Sequence, residues 1–208
     1  MASTRTFPDL QFERAAQLQG FVRIAGVDEV GRGPLAGPVT AAAVILDPEH
    51  IPDGIDDSKR VKEVDRSRLA AEIKSTAIAW AVAHASVQEI DAINILQASH
   101  LAMKRALQML DPNADYALVD GNKMPRDMVM PGQTIIKGDA KSLSIAAASI
   151  LAKVERDQIM QKLAIEHPEY GWERNTGYPT VQHREALKRF GATPHHRVSF
   201  APLRNMLC

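Results

Sequence analysis

The stretch FVRIAGVDEVGRGP, residues Phe21–Pro34, decides the fold of this chain. Its first nine residues, Phe21–Glu29, are rich in Val and Ile and predict a buried strand. The Gly-Arg-Gly-Pro sequence of Gly31–Pro34 interrupts that strand, because glycine and proline break regular structure. The apolar run Val39–Leu46 then predicts a second strand.

Beyond Leu46 the chain alternates between loops, helices and strands. Asp47–Lys59 contains two Pro, a Gly and several Asp, and is therefore predicted to be a loop. Further strands are predicted at Ala77–Ser86, Tyr116–Val119 and Thr134–Lys137. Helices are predicted at Lys62–Ser75, Val87–Leu110 (a short helix and then a longer one), Leu143–Leu163 and Thr180–Arg189. Three strands followed by strands that alternate with helices indicate an α/β fold, in which helices flank a mixed central sheet.

Composition limits the class of protein. The 208 residues suit a single domain spanning 1–208, and 45% hydrophobic residues are enough for a sizeable core. The only cysteine, Cys208, allows no internal disulfide, which is typical of a reducing compartment. Met1–Gln19 contains no signal-peptide-like apolar stretch, and the most apolar runs, Ala77–Ala85 and Ile145–Val154, are too short to span a membrane. We therefore expect a cytoplasmic protein without a membrane anchor.

The charges balance, with 25 basic and 25 acidic residues, which does not indicate a bulk nucleic-acid binder. Their distribution is uneven, because Gly171–Cys208 contains six Arg or Lys and only two Glu, together with His183, His195 and His196. A solvated helix face explains this excess, and so does a phosphate-contacting surface.

Four acids occupy positions where predicted strands end. Asp28 and Glu29 close the first strand, Asp120 follows Tyr116–Val119, and Asp139 follows Thr134–Lys137. In sheets with crossover helices, ligands gather at strand ends, and converging carboxylates repel one another unless cations separate them. A site made only of oxygen ligands selects a hard ion such as Mg²⁺ or Mn²⁺. Two such ions, roughly 3.5–4 Å apart, can clamp the attacking and leaving oxygens of a phosphodiester.

Each acid also has a structural explanation. Asp139 is equally suited to cap the following helix, and Asp120 before Gly121 is typical of a turn. The pair Asp28–Glu29 is harder to explain in this way, because buried acids without partners are costly. Neighbouring strand residues point to opposite faces, so we infer that the strand twists or ends at Asp28, or that Glu29 contributes through its backbone carbonyl.

The motifs as a set resemble those of bacterial ribonuclease HII, the type 2 ribonucleases H. They occur in the order of that family and span nearly the whole chain. They are AGVDEVGRGP at Ala25–Pro34, DSK at Asp57–Lys59, VDGN at Val119–Asn122, KGD at Lys137–Asp139, IAAASILAK at Ile145–Lys153, RD at Arg156–Asp157, GYPT at Gly177–Thr180 and HRxSF at His196–Phe200. Type 3 enzymes carry a sizeable N-terminal domain before the first acid, whereas only about 27 residues precede Asp28 here, which favours type 2.

The resemblance implies a ribonuclease H-like fold with a catalytic core over about 20–165 and a small, substrate-contacting helical part over about 166–208. It implies an endonuclease that cuts the RNA strand of RNA–DNA hybrids, and that cuts 5′ of ribonucleotides embedded in duplex DNA. The products would carry 3′-hydroxyl and 5′-phosphate ends, and the role would be to remove ribonucleotides from DNA. The four metal-binding, catalytic acids of the family fall on Asp28, Glu29, Asp120 and Asp139.

The resemblance also implies substrate contacts. The Gly31-Arg32-Gly33 turn would contact the 2′-hydroxyl at the cleavage site, which distinguishes RNA from DNA, and Tyr178 would pack on the sugar of the RNA–DNA junction. Ordinary turn formation and packing are the structural alternatives for these residues. Second-tier candidates for phosphate contacts are Lys59, Lys153, Ser58, Ser142 and Ser149. One departure is Asn175-Thr176, where family members often carry a basic residue directly before the Gly-Tyr pair.

Three points stay open at the level of the sequence. His183, His195 and His196 could serve as general acids, as phosphate ligands or as structural residues. The chain could instead be a non-catalytic RNA–DNA hybrid binding module, or a two-metal DNA-junction nuclease on the same fold. We expect a monomer without an obligate protein partner, and we assign no role to the loop Met124–Gly132.

Overall fold

A computed structural model describes residues 7–207, so Cys208 and the first six residues of the polar N-terminal segment lie outside it. Within that range the chain forms one five-stranded sheet and seven α-helices. The strands are β1 Ile24–Val30, β2 Val39–Ile45, β3 Ala79–Ala85, β4 Tyr116–Asp120 and β5 Gly132–Ile135. The helices are α1 Gln11–Gln17, α2 Glu63–Thr76, α3 Val87–Gln108, α4 Leu143–Glu166, α5 Trp172–Asn175, α6 Val181–Phe190 and α7 Ala201–Leu207.

The sheet is mixed, as predicted. Its strand order is β3-β2-β1-β4-β5, with antiparallel pairing of β1 to β2 and of β2 to β3. The β1–β4 and β4–β5 pairs are parallel, and the β1–β4 ladder ends at the pair Val27 and Val119. Asp28 and Asp120 are the next residues on these two strands, so the topology places them side by side where the ladder stops.

Helices cover both faces of the sheet. Alternate residues of β2 separate the two cores: Ala41 and Ala43 pack with α3, whereas Ala42 and Val44 pack with α2 and α4. Helix α4 lies very close to β1, since a Cβ added at Gly26 would overlap the backbone of α4. The small residues predicted to allow this approach, Ala146–Ala148, are fully buried.

Three differences from the sequence prediction have local causes. Helix α1 was not predicted, and its Ala16 packs against the core beside β1 and β4. Strand β5 begins and ends two residues earlier than predicted, because Lys137 adopts a left-handed conformation (φ 57°) and leads into a 3₁₀ turn at Gly138–Ala140. Helix α3 contains a kink at Asn94, whose side chain accepts hydrogen bonds from the next turn, so the predicted short and long helices are both present.

The C-terminal helices α5–α7 pack on the far end of α4 through a core of their own. That core includes Met160, Tyr170, Trp172, Leu187 and Leu203. The division of the chain at about residue 165 stays a prediction, although α4 does end at Glu166. None of the helices in the described range has the length and apolar character needed to cross a membrane.

Candidate active site

Three of the four predicted acids meet at one point of the sheet. Carboxylate oxygens of Asp28, Glu29 and Asp120 all lie within 4.8 Å of one another. Asp28 is buried, and Glu29 and Asp120 are half-buried. The cluster forms because β1 and β4 run in parallel and carry these acids at matching ends.

The adjacent acids Asp28 and Glu29 reach the same point although β1 does not end at Asp28. The strand continues to Val30, which excludes a strand end at Asp28, one of the alternatives inferred from the sequence. The Asp28 carboxylate bends toward the backbone of the next residue, where Oδ1 accepts a hydrogen bond of 2.7 Å from the Glu29 amide. Glu29 contributes a side-chain oxygen, so its backbone carbonyl is not needed to explain the cluster.

The fourth acid, Asp139, stands beside this triad. It lies buried in the 3₁₀ turn Gly138–Ala140, and its charge helps to raise the pKa values of Asp28 and Asp120. The same turn is tied to Asp120, whose Oδ1 accepts a 2.6 Å hydrogen bond from the Gly138 amide. Asp139 does not cap α4, because Ser142 fills that position and accepts from the Ile145 amide.

The electrostatics of the cluster favour cation binding. Burial, followed by the charge of Glu29, raises the pKa of Asp28 well above its usual value. Burial raises the pKa of Glu29 to about 7, although Arg32 opposes this shift. Burial also raises the pKa of Asp120. These shifts mean that several negative charges share a desolvated site with too little positive charge beside them.

One lysine partly answers that charge. Lys59 Nζ lies 3.3 Å from Asp139 Oδ2 and 3.8 Å from Asp57 Oδ1. Burial lowers the pKa of Lys59, but the nearby charges of Asp139 and Asp57 outweigh it and the net shift is upward. Lys59 and Arg32, both exposed, cannot neutralise four acids, so the oxygen-only donor set fits a hard divalent ion.

The predicted Gly31-Arg32-Gly33 turn lies next to the acids. Arg32 is half-exposed and donates to Glu29 Oε1 at 3.3 Å. Gly31 has a φ of 93°, and a Cβ there would overlap the guanidinium of Arg156. A Cβ at Gly33 would lie only 3.2 Å from the ring of Tyr178, which is 45% exposed. The structure therefore brings the turn and Tyr178 together at the edge of the acid cluster.

Two buried arginines hold this turn, and sequence reasoning gave neither of them that role. Arg197 is fully buried and donates to the carbonyls of Gly31, Arg32, Gly37 and Pro38 at 2.6–3.1 Å. Arg156 donates to the carbonyls of Pro38, Ala36 and Thr176. Both residues stand in the motifs given above, but Arg197 had been counted among the charges of either a solvated helix face or a phosphate-contacting surface. Its burial corrects that interpretation.

A chain of hydrogen bonds ends on the backbone of Tyr178. The Trp172 indole N–H can only donate, and it donates to His183 Nε2. His183 therefore carries its proton on Nδ1, which donates to the Tyr178 carbonyl at 3.0 Å. His196 Nε2 therefore donates to His183 Nε2 at 3.0 Å, and His196 Nδ1 accepts from the Thr193 amide. Burial lowers the pKa of both histidines, that of His196 to about 3, so both are neutral. Of the open alternatives, the structural role fits His183 and His196.

The remaining substrate-contact candidates lie along the start of α4. The Ser149 hydroxyl accepts from the Ser58 amide at 3.2 Å and donates to the Ala146 carbonyl, and both serines are buried. Lys153 is paired with Asp157 at 2.6 Å. Ser58 and Ser149 thus join the loop that carries Lys59 to α4, whereas Lys153 would have to leave its ion pair to reach a substrate.

Comparison with known proteins agrees with this arrangement. The family model described as Ribonuclease HII matches residues 25–203. A Ribonuclease HII of Ruegeria sp. (strain TM1040) is 60% identical over 201 residues, covering 97% of this chain and 87% of the relative. The crystal structure of the ribonuclease H2 from Pyrococcus horikoshii OT3 superposes with a TM-score of 0.74 at 27% identity, covering 89% of this chain and 97% of that one.

A more distant structure shares the fold. Bst-RNase HIII, solved in complex with Mn²⁺, superposes with a TM-score of 0.73 at 21% identity and covers 89% of this chain and 69% of that chain. The predicted ribonuclease H-like fold is therefore confirmed. The family match over most of the chain, together with a closely similar relative of nearly the same extent, shows that the chain belongs to the ribonuclease HII family of nucleases.

Proposed function

We propose that this ribonuclease H cuts the RNA strand of RNA–DNA hybrids and cuts 5′ of single ribonucleotides in duplex DNA, leaving 3′-hydroxyl and 5′-phosphate ends. Family membership supports the general activity, that of an endonuclease acting on RNA. The observation that carries the finer proposal is the meeting of Asp28, Glu29 and Asp120 beside a glycine turn and an exposed tyrosine. The role of the enzyme would be to remove ribonucleotides from DNA in the cytoplasm.

We assign Asp28, Glu29, Asp120 and Asp139 as the ligands of Mg²⁺ or Mn²⁺. The raised pKa values of Asp28, Glu29 and Asp120 support this, because a divalent ion would relieve the repulsion that causes part of those shifts. Bound ions would supply Lewis-acid chemistry, both for the attacking water and for the leaving 3′-oxygen. A neighbour that shares the fold, Bst-RNase HIII, was solved in complex with Mn²⁺.

Substrate selection falls to the turn and to Tyr178. Gly33 is exposed and has no side chain, so its backbone can approach a 2′-hydroxyl closely, and the buried Gly31 supports it from below the turn. The exposed ring of Tyr178 lies against Gly33 and is available to pack on the sugar next to that hydroxyl. Arg32, which already reaches Glu29, is placed to contact a substrate phosphate that lies between the acid cluster and the turn.

The other candidates form a supporting set in this proposal. Lys59 extends from the Ser58 loop over Asp139 and is positioned to bind the phosphate that enters beside the acids. Ser149 holds Ser58 through its amide and so positions Lys59. Lys153 would join them only after its ion pair with Asp157 opens.

Cleavage of one labelled DNA duplex carrying a single ribonucleotide tests the proposal. We expect a single product in Mg²⁺ or Mn²⁺ and none in a chelator. Asp28→Asn or Asp120→Asn should abolish the product, whereas Asp53→Asn, which alters an exposed acid outside the site, should leave the rate unchanged. Cleavage by either active-site variant at nearly the wild-type rate would overturn the assignment.

The same assay separates the alternatives. Binding of the duplex without any product, in both ions, would favour a hybrid-binding module over an enzyme. Cleavage of an all-DNA junction, which the proposal forbids, would favour a DNA-junction nuclease. We propose a monomer as the active form, and sedimentation of the full chain at assay concentration would contradict this if it gave a dimer.

A further inference from the structure

A second group of metal-ligand side chains lies at the opposite end of α4 from the acids. Glu166, the last residue of α4, His167, which follows it, and His195, in the loop after α6, each offer a ligand atom within 4.8 Å of the others. We propose that these three residues form a binding site for a transition-metal ion of the Zn²⁺ class. The proposal does not depend on the function proposed above.

The type of ligand sets the type of ion. Two imidazoles and one carboxylate are the donors that Zn²⁺ and its neighbours prefer, whereas Mg²⁺ and Mn²⁺ are bound mainly by oxygen. The chain would thus have two chemically distinct sites, a hard-ion site at Asp28, Glu29 and Asp120 and a borderline-ion site here. Mg²⁺ should therefore compete poorly for the imidazole site, whereas Zn²⁺ can also enter the acid cluster.

The geometry needs little adjustment. Tetrahedral ligands about 2.1 Å from Zn²⁺ lie about 3.4 Å apart, so ligand atoms within 4.8 Å of one another must close by up to about 1.4 Å. Glu166 is exposed and His167 and His195 are half-buried, so side-chain rotation can provide this closure. A fourth position would be left for water.

The two imidazoles are already arranged by packing. Their ring centres lie 5.5 Å apart, and both rings stand edge-on to the fully buried Trp172, at 5.6 Å for His167 and 6.3 Å for His195. Glu169 Oε1 lies 3.7 Å from His167 Nδ1. This separation is longer than a hydrogen bond, but a small rotation of the Glu169 carboxylate would let it accept from Nδ1–H and leave Nε2 of His167 for the ion, an arrangement that is common behind zinc-bound histidines.

An ion at this point would join the end of α4 to the loop of His195, which contacts the segment of the proposed substrate turn. The His195 carbonyl accepts from the Gly37 amide at 2.9 Å, and Arg197, two residues later, holds the carbonyls of Gly31 and Arg32. The ion would fix this loop to the end of α4. We therefore expect it to stabilise the folded chain and not to replace Mg²⁺ in cleavage.

The test uses the full chain with Asp28→Asn and Asp120→Asn, so that Zn²⁺ cannot occupy the acid cluster. Zn²⁺ affinity is measured by competition with a zinc-binding dye, and Co²⁺ is added separately to record its tetrahedral absorption bands. We expect one ion per chain, a higher melting temperature with Zn²⁺, and affinity lower by at least about tenfold after His167→Ala or His195→Ala. His50→Ala is the matched control, because His50 is an exposed histidine that pairs with a carboxylate, Asp47, elsewhere.

Several outcomes would overturn the site. They are no Zn²⁺ uptake by the starting protein, equal affinity in His195→Ala, or an equal loss in His50→Ala. If His195→Ala or His167→Ala fails to fold without metal, Glu166→Gln decides alone, because it changes an exposed side chain. Unchanged Zn²⁺ affinity in Glu166→Gln would then refute the proposal, and a loss of about tenfold would support it.

Discussion

Replacing Arg197 by methionine should loosen the turn that carries the proposed substrate contacts. Methionine keeps much of the apolar length of the side chain but donates no hydrogen bonds. Of the four carbonyls that Arg197 holds, that of Pro38 keeps a donor in Arg156, whereas those of Gly31, Arg32 and Gly37 lose their guanidinium. The variant therefore leaves three backbone acceptors to find water or remain unpaired.

The expected cost follows from that count. An unsatisfied buried polar group costs about 1–3 kcal/mol, and water can reach the carbonyl next to the exposed Arg32, so we expect about 3–5 kcal/mol in the free energy of unfolding. For a chain of 208 residues, each kcal/mol shifts the melting temperature by about 2–4 °C, so Arg197→Met should melt about 10 °C lower. Burial lowers the pKa of Arg197 to about 9, so the guanidinium is charged and this loss should apply at neutral pH.

Two measurements check this reasoning. Thermal unfolding gives the stability, and cleavage of the single-ribonucleotide duplex, well below the melting temperature, gives kcat/KM for the folded protein. We expect kcat/KM to fall at least about tenfold, the equivalent of about 1.4 kcal/mol, as the turn loses its position. Arg184→Met, in an exposed arginine of α6, should change neither value. A melting temperature of Arg197→Met close to the wild-type value would refute the count of lost hydrogen bonds, and normal cleavage would refute the positioning role.

Three further changes test other parts of the site. The folded-state pKa of Glu29, about 7, lies above its usual 4.5, so the metal-free protein should lose about 3 kcal/mol of stability as pH rises from about 4.5 to 7. Glu29→Gln should flatten this dependence of the free energy of unfolding on pH, measured by urea unfolding. An unchanged pH dependence in Glu29→Gln would contradict the raised pKa. Tyr178→Ala should strongly reduce the rate of cutting at the ribonucleotide junction while changing the melting temperature little, and Tyr178→Phe is the ring-retaining control. A loss of activity that only parallels a loss of stability would contradict a substrate role. Glu13 Oε1 accepts from both Ser142 and Ser144, so Glu13→Ala should lower the free energy of unfolding in urea by about 2–4 kcal/mol. A loss below about 1 kcal/mol would show that these donors find other partners.

Most of the sheet could be predicted from the sequence because β1–β4 are mostly apolar and the loops between the strands contain glycine or proline. Strands β1 and β2 are almost completely buried, and both were expected within a few residues of their observed ends. Helix α1 could not be expected, because its seven residues, QFERAAQ, are mostly polar and too few to be stable alone. It depends on tertiary contacts such as Glu13 with Ser142, which lie 129 residues apart.

The acids of the site could be predicted, whereas the groups that position the substrate turn could not. The pair Asp28–Glu29 directly after an apolar strand is chemically unusual, and the family motifs place Asp120 and Asp139 beside it, so this grouping is visible in the sequence. A buried arginine that binds only carbonyls is not visible in this way, since arginine is normally exposed. Arg156 and Arg197 look like surface charges until the fold surrounds them.

This difference divides the site into two parts with separate physical supports. The acids stand on β1, β4 and the turn before α4, which are fixed by the sheet and by the buried face of α4. The Gly31–Gly33 turn and Tyr178 are fixed from the other side, by Arg197, Arg156 and the histidines that end on the Tyr178 carbonyl. Helix α4 contributes to both sets, but the first rests mainly on the sheet and the second mainly on Arg156 and residues nearer the C-terminus. In the proposed mechanism, metal binding and ribonucleotide selection therefore depend on largely different residues. We therefore expect substitutions of Arg197 or His183 to change substrate selection more than metal binding by the acids.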